Sequence, residues 1–338
     1  MIRFKFLCLC IFANHCRFAP VGAAFSFIPK MKPLRSCSSN LNRRGCEDSI
    51  CHVIAQSTPL PVNHRGKRSL NLSGGGGEDG AAVDKKVEIA APRELLAEMI
   101  GVFIIVWIGC GTVCSATFKS AQTGLWQIAA VWGIAVALAI SVTGPISGAH
   151  LNPAVTLALA LLRGFSWHKV IPFVAAQAAG AVAAAATNLY LFSDAIVAFE
   201  QSGGIVRGTA ASVASACAFG EYWSVPSWTT AFVAEALGTA MLALVIFSLT
   251  NPKNKTTSDN PVLIPSLIGA TIAVLISVIA PLTQAGFNPA RDFGPRIVAW
   301  AGGWGQVAFK GWWLYVLAPL IGAPIGGFIA DKFLYSEK

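Results

Sequence analysis

Charge is what this chain has least of. Only 12% of its 338 residues are Asp, Glu, Lys or Arg, while 54% are apolar, a balance foreign to soluble domains of ordinary surface charge. From Leu95 onward long segments hold at most one ionisable residue each. Helices that cross about 30 Å of hydrocarbon in about 20 residues require that scarcity. Acid is scarcer than base, and the formal net charge is +9. Nucleic acid is nevertheless excluded as a partner, because the basic residues form no aromatic-interleaved patch. Histidine is also rare, with five in all. Cys110 and Cys114 share a helix face, but no histidine is placed to complete a zinc site with them. They read as small apolar filler, and neither a metal nor any other cofactor is expected.

The first 90 residues hold six of the nine cysteines, Cys8, Cys10, Cys16, Cys37, Cys46 and Cys51, and nothing that resembles a folded domain. Arg3 and Lys5 precede an apolar run, Phe6–Ala13, and the small residues Val21-Gly22-Ala23-Ala24 follow. That is the pattern of a secretory signal. Lys30, Lys32, Arg35, Arg43 and Arg44 then sit among serines with no acid before Glu47, which is transit-peptide composition. The pair resembles the two-part leaders of algal plastids surrounded by extra membranes; a signal peptide or anchor alone and an untargeted tail are the alternatives. Ser73–Gly80 reads as a flexible linker. The expected division is therefore a targeting extension over 1–90 and a membrane body over 91–338.

The body is an internal duplication. Gly133–Ala154 and Gly269–Ala290, offset by 136, match at ten of 22 positions. They include Gly133/Gly269, Ile140/Ile276, Pro145/Pro281 and the tripeptides Asn152-Pro153-Ala154 and Asn288-Pro289-Ala290. Ala97-Glu98-x-x-Gly101 and Ala234-Glu235-x-x-Gly238 repeat at an offset of 137. Two echoes at nearly one spacing mark a repeat unit.

Hydropathy predicts six spans, roughly Leu95–Ala116, Leu125–Pro145, Val170–Phe192, Trp228–Thr250, Val262–Leu282 and Trp313–Ala330. Asn152–Leu162 and Asn288–Trp300 are too short to cross. Each opens with Asn-Pro, and proline suits the first helical turn, where its missing N–H is not needed. Each is therefore a half-helix, reached through irregular backbone at Ile146–Leu151 and Thr283–Phe287. Three spans per repeat is an odd number, so the second copy enters from the opposite face and the half-helices meet tip to tip near the midplane. The predicted fold class is thus an all-α membrane protein of six transmembrane helices and two re-entrant half-helices in an inverted repeat. Lys85, Lys86, Arg93, Arg163, Lys169, Lys253, Lys255, Lys332 and Lys338 fall on one side, and mainly Lys119, Arg207 and Lys310 on the other. The positive-inside rule places both termini on the cytosolic or stromal side. The glycosylation-like sequences at Asn71 and Asn254 then lie away from the lumen.

Lipid cannot satisfy non-helical backbone, so the irregular segments must line water. Carbonyls of Gly148, Ala149 and His150, and of Gln284, Ala285 and Gly286, would form a ladder of acceptors opposite an apolar wall. At the centre Asn152 and Asn288 cap two helix N-termini, each worth roughly half a positive charge. An oxygen accepting from both amides turns its own hydrogens outward, and cations meet a positive barrier. Arg291 adds a full charge one turn further on. Such a path passes neutral solutes and refuses ions.

Ser147–Val155 and Gly286–Arg296 resemble the major intrinsic protein family, the aquaporins and glycerol facilitators, over about Arg93–Phe333. Asp292 directly after the arginine, Ile297–Trp300 and Gly302–Gly305 resemble the glycerol-facilitator (aquaglyceroporin) branch. The resemblance implies a homotetramer with a pore in each protomer, and a narrow filter at Trp132, Ile276, Ala285 and Arg291. Water-only filters have a histidine where Ile276 stands, and bacterial glycerol facilitators a bulky aromatic near Ala285. This chain departs from both and is closer to plant nodulin-type channels. It implies glycerol and water as solutes, with urea and other small neutral molecules fitting too. Trp132 would offer a face to a carbon backbone, and Arg291 its paired donors to hydroxyls.

Other readings of the same residues lead to different expectations. Glu98 and Glu235 are costly carboxylates within spans. Their repeat-related placement points to acceptors for the re-entrant N–H groups rather than to a membrane-embedded enzyme, since nothing adjacent supplies a nucleophile. His150 is expected as a hydrogen-bonded spacer, Gln177 as a partner of loop backbone, and Asp292 as a helix N-terminal charge that shapes the pore indirectly. A water-selective channel is the near alternative, and an ion channel is opposed by the converging dipoles. The expected location is a multi-pass position in a plastid membrane, or otherwise the plasma membrane or an endomembrane.

Overall fold

A computed structural model of the chain describes residues 89–122 and 124–336. The expected leader and linker lie outside those residues. The elements that matter are α1 Pro92–Lys119, α2 Leu125–Ser147, α3 Pro153–Leu162, α4 Trp167–Leu191, α5 Ser193–Ser202, α6 Trp228–Leu249, α7 Leu263–Thr283, α8 Pro289–Ala299 and α9 Trp312–Ile329. Among the described residues six helices are long and apolar enough to span a membrane: α1, α2, α4, α6, α7 and α9 with its extension to Leu334. An even number of spans returns the chain to the face from which it started.

The duplication visible in the sequence is repeated in the packing. In the first half α1 packs on α4, and in the second α6 packs on α9. Gly180 lets the α1 backbone approach at the Met99 carbonyl, and Gly322 lets α6 approach at the Ala236 carbonyl. Those carbonyls are 137 residues apart, the repeat offset itself. Between the halves α2 packs on α7, and there the repeat-related Gly133 and Gly269 lie against one another. A Cβ on either would fall within 3.0 Å of the other's carbonyl oxygen. Small residues bring helices close where dispersion and hydrogen bonds, not water exclusion, hold them together.

The span ends fall within one to three residues of the sequence-based expectation, with α2 ending at Ser147 where Pro145 was expected and α7 at Thr283 where Leu282 was expected. Helices α2 and α7 run through Pro145 and Pro281 to Ser147 and Thr283. A proline forfeits one intrahelical bond but keeps helical φ. Left-handed residues then close each helix, with Gly148 N–H donating to Gly144 O at 3.0 Å and Gln284 N–H to Ala280 O at 2.9 Å. The irregular backbone is correspondingly shorter. The long connection after α4 begins with α5 and contains a helical turn at Val213–Ala216.

Candidate functional site

The two Asn-Pro-Ala tripeptides meet. Asn152 Oδ1 accepts from Ala154 N–H at 2.9 Å, and Asn288 Oδ1 accepts from Ala290 N–H at 3.0 Å and Arg291 N–H at 3.3 Å. Each asparagine thus caps its own half-helix, a contact worth about 1 kcal/mol. The amide nitrogens cross over: Asn152 Nδ2 donates to Phe287 O at 3.0 Å and Asn288 Nδ2 to Leu151 O at 2.8 Å. The second hydrogen of each amide is left for the cavity that both residues line.

Behind the tips, Gly148, Ala149 and Leu151 on one side, and Gln284, Ala285 and Phe287 on the other, hold φ between 49° and 83°. Non-glycine residues there cost about 1–2 kcal/mol each, so something must hold them. The two glutamates do so. Glu98 accepts from His150 N–H (2.9 Å), Leu151 N–H (2.7 Å), Ser147 Oγ (2.6 Å) and Gln177 Nε2 (2.8 Å). Glu235 accepts from Gly286 N–H (3.0 Å), Phe287 N–H (2.9 Å) and Thr283 Oγ1 (2.5 Å). With the N–H groups anchored on one side of the strip, and the Leu151 and Phe287 carbonyls taken by the asparagines, Gly148, Ala149, His150, Ala285 and Gly286 are left beside the cavity. Both carboxylates are fully buried, Glu98 with four donors and Glu235 with three. Gln177 departs from expectation: its amide binds Glu98 and, at 3.1 Å, Thr156 Oγ1, so it braces side chains instead of loop backbone. His150 faces Thr156 at 3.2 Å and packs against Phe165 and Phe173.

A cavity of about 320 Å³ runs past these segments. The lining includes Gly148, Ala149, His150, Leu151, Ala285, Gly286 and Phe287 with the two asparagines, and between its two ends the remainder is mostly aliphatic, including Val136, Ile140, Leu242, Ile246, Ile268 and Ile272. One end is marked by Arg163, whose guanidinium grips Asp331 at 2.7 and 3.0 Å and donates to Thr250 Oγ1 at 2.7 Å. Toward the other end stand Trp132, Ile276 and Arg291, which also line a smaller cavity of about 70 Å³. Those three residues divide one space from the next, and Ala285 borders the larger. Gln284, expected on the ladder, borders the smaller cavity instead and accepts from Tyr222 N–H at 2.7 Å through its side chain. The Arg291 guanidinium lies 4.2 Å from the Trp132 ring centroid. Part of the face expected to meet a solute is therefore covered by the cation, a packing favourable in its own right.

The connection between α5 and α6 supplies what sequence reasoning missed. Glu221 forms an ion pair with Arg291, and its backbone N–H donates to Asp292 Oδ1 at 2.8 Å. Burial pushes the Glu221 carboxyl up to about 8 against the opposing pull of Arg291. Asp292 is fully buried and holds Arg296 Nε at 2.7 Å, and Arg296 reaches Glu221 O and Ala308 O. The charge after the tripeptide thus fastens the loop beside the smaller cavity. One signal was available, since Glu221 is the only acidic residue between Glu200 and Glu235.

Two half-helices joined at their tips beside a cavity with a part polar, part aliphatic lining, inside an inverted repeat of six spans, define a membrane channel for uncharged solutes. The major intrinsic protein family model matches residues 85–330, and the chain belongs to that family. It is 43% identical to the glycerol uptake facilitator protein of Escherichia coli K12 over 247 residues, covering 72% of this chain and 87% of that one. The propanediol uptake facilitator PduF of Citrobacter freundii is 37% identical, covering 70% and 90%. Among solved structures, the aquaglyceroporin from Plasmodium falciparum superposes with a TM-score of 0.63 at 25% identity, covering 72% of this chain and 96% of that one.

Proposed function

We propose that the chain is a passive transmembrane channel for glycerol and other small neutral solutes, closed to ions and protons. One observation carries the reading: the tip-to-tip asparagines, each with an amide hydrogen left over, open onto a cavity whose remaining lining is mostly aliphatic. A polyol has carbons along one edge and hydroxyls along the other, and matches that lining. Its hydroxyls donate to the carbonyl ladder and accept at the asparagines and Arg291, while its carbons slide on Ile272, Ile276 and Ala285. Trp132, Ile276, Ala285 and Arg291 act as the filter. Urea and water fit the same path, and the protomers assemble as a homotetramer with one pore each. No step of chemistry is involved, because Glu98 and Glu235 spend their acceptor capacity on the loops.

Stopped-flow light scattering on proteoliposomes tests the solute. Glycerol flux well above that of empty vesicles is the expected result, and water flux without glycerol flux would mark a water-selective channel instead. Residues 1–90 serve as the targeting extension and 91–338 as the channel domain. The leader's composition supports a membrane of a complex plastid, and a fluorescent fusion of residues 1–90 would decide it; reporter confined to the plasma membrane or endomembranes overturns that location.

A further inference from the structure

The Trp132 ring is positioned from behind as well as from the pore. Gly109, midway along α1, is buried and borders neither cavity. A Cβ there would sit under 3.0 Å from Cε3, Cζ3 and Cη2 of Trp132, a separation that real Cβ atoms essentially never show. The ring therefore rests on bare helix backbone, deeper in the wall than any side chain at 109 would permit. The Arg291 guanidinium lies 4.2 Å from the ring centroid, so the ring has little freedom to relax.

We infer that Gly109 is a specificity-determining position: its missing side chain recesses Trp132, and that recess sets whether a three-carbon polyol or only water clears the filter. It is a positioning residue that acts through Trp132 without touching the solute, and the inference rests on the polyol reading above. A methyl group at 109 must displace the ring by about 1 Å to restore ordinary carbon contact near 3.5 Å. Helix α1 cannot retreat instead. At that level Asn188 Nδ2 donates to Trp107 O at 3.0 Å, and a Cβ on Gly111 would sit 3.3 Å from Asn188 Oδ1. The displacement goes into the pore, toward Arg291 and Ile276.

Wild type, Gly109→Ala, Trp132→Leu and the double variant would be reconstituted as full chains and measured for glycerol and water flux. Alanine is the better helix former, so α1 itself is not weakened. Gly109→Ala is expected to lower glycerol flux about tenfold with water flux changed less than about twofold, as a narrowed constriction demands. In the double variant, glycerol flux returns to the level of Trp132→Leu, since the ring that the methyl pushes is gone. An unchanged glycerol-to-water ratio in Gly109→Ala overturns the inference, as does a loss that persists in the double variant. Should wild type pass water and no glycerol, the polyol reading fails separately. Gly109 is then judged on water alone, slowed by alanine and restored in the double variant.

Discussion

Asn152 and Asn288 use both ends of one amide, the oxygen to cap their own half-helix and the nitrogen to hold the other half's loop. Replacing Asn288 by Asp keeps the shape and the cap but sets a carboxylate against Leu151 O. It also places a unit negative charge where two helix ends contribute about half a positive charge each. Asn288→Asp is expected to admit cations, seen as conductance in planar bilayers or proton leak in dye-loaded vesicles that wild type lacks. The glutamates give a stability prediction. In Glu235→Gln one acceptor oxygen becomes a donor facing loop N–H groups, and each hydrogen bond to a charged partner is worth about 1.5–3 kcal/mol. Its thermal midpoint in detergent should fall clearly below that of wild type, with Glu98→Gln behaving alike.

Among the elements, the contact of α2 with α7 is set by Gly133 and Gly269. Gly133→Val would force the helices apart at a point where backbone meets backbone, and overpacking of that kind costs about 1–3 kcal/mol or more. Loss of a monodisperse peak in detergent gel filtration is expected. Gly144→Ala, on the same helix with nothing within 4 Å of its would-be Cβ, should leave the profile unchanged. The elements also show what sequence patterns carry. Half-helices starting at Asn-Pro, and six spans bounded within a few residues, follow from local hydropathy and capping chemistry. The run of α2 past Pro145 to Ser147 does not, because proline penalises a helix without forbidding it. Nor does the placement of Glu221, Tyr222 and Arg296. Glu221 and Tyr222 take partners 71 and 62 residues away, and Arg296, besides its local bond to Asp292, reaches Glu221 O across 75, beyond the reach of any periodicity. Gly109 is one more small residue in a span by sequence; only the ring seated on it gives it meaning.

For the whole molecule, even span number and loop charge together give a topology that can be checked. A cysteine introduced in 252–262 should react with an impermeant maleimide only from the side that holds both ends of the body, and one in 203–210 only from the other. Opposite labelling of the two loops is the expected outcome. Large apolar side chains remain exposed on the helices, among them Ile134, Leu138, Val142, Leu237, Met241, Val274, Val278, Ile321 and Ile325. Lipid and, in the proposed homotetramer, neighbouring copies cover them; native mass spectrometry should show a fourfold mass.

The crossed amide bonds bear on how the protein is made. Leu151 O receives its hydrogen from a residue that leaves the ribosome 137 positions later, and Phe287 O from one made 135 positions earlier. During synthesis the first half must wait in the bilayer with its innermost turn open to water or to the insertion machinery. The partner that seals it arrives only when Asn288 swings in from the far leaflet. Closure of the pore therefore waits for the second half-helix, and a ribosome halted before residue 288 would leave a half-pore that cannot close.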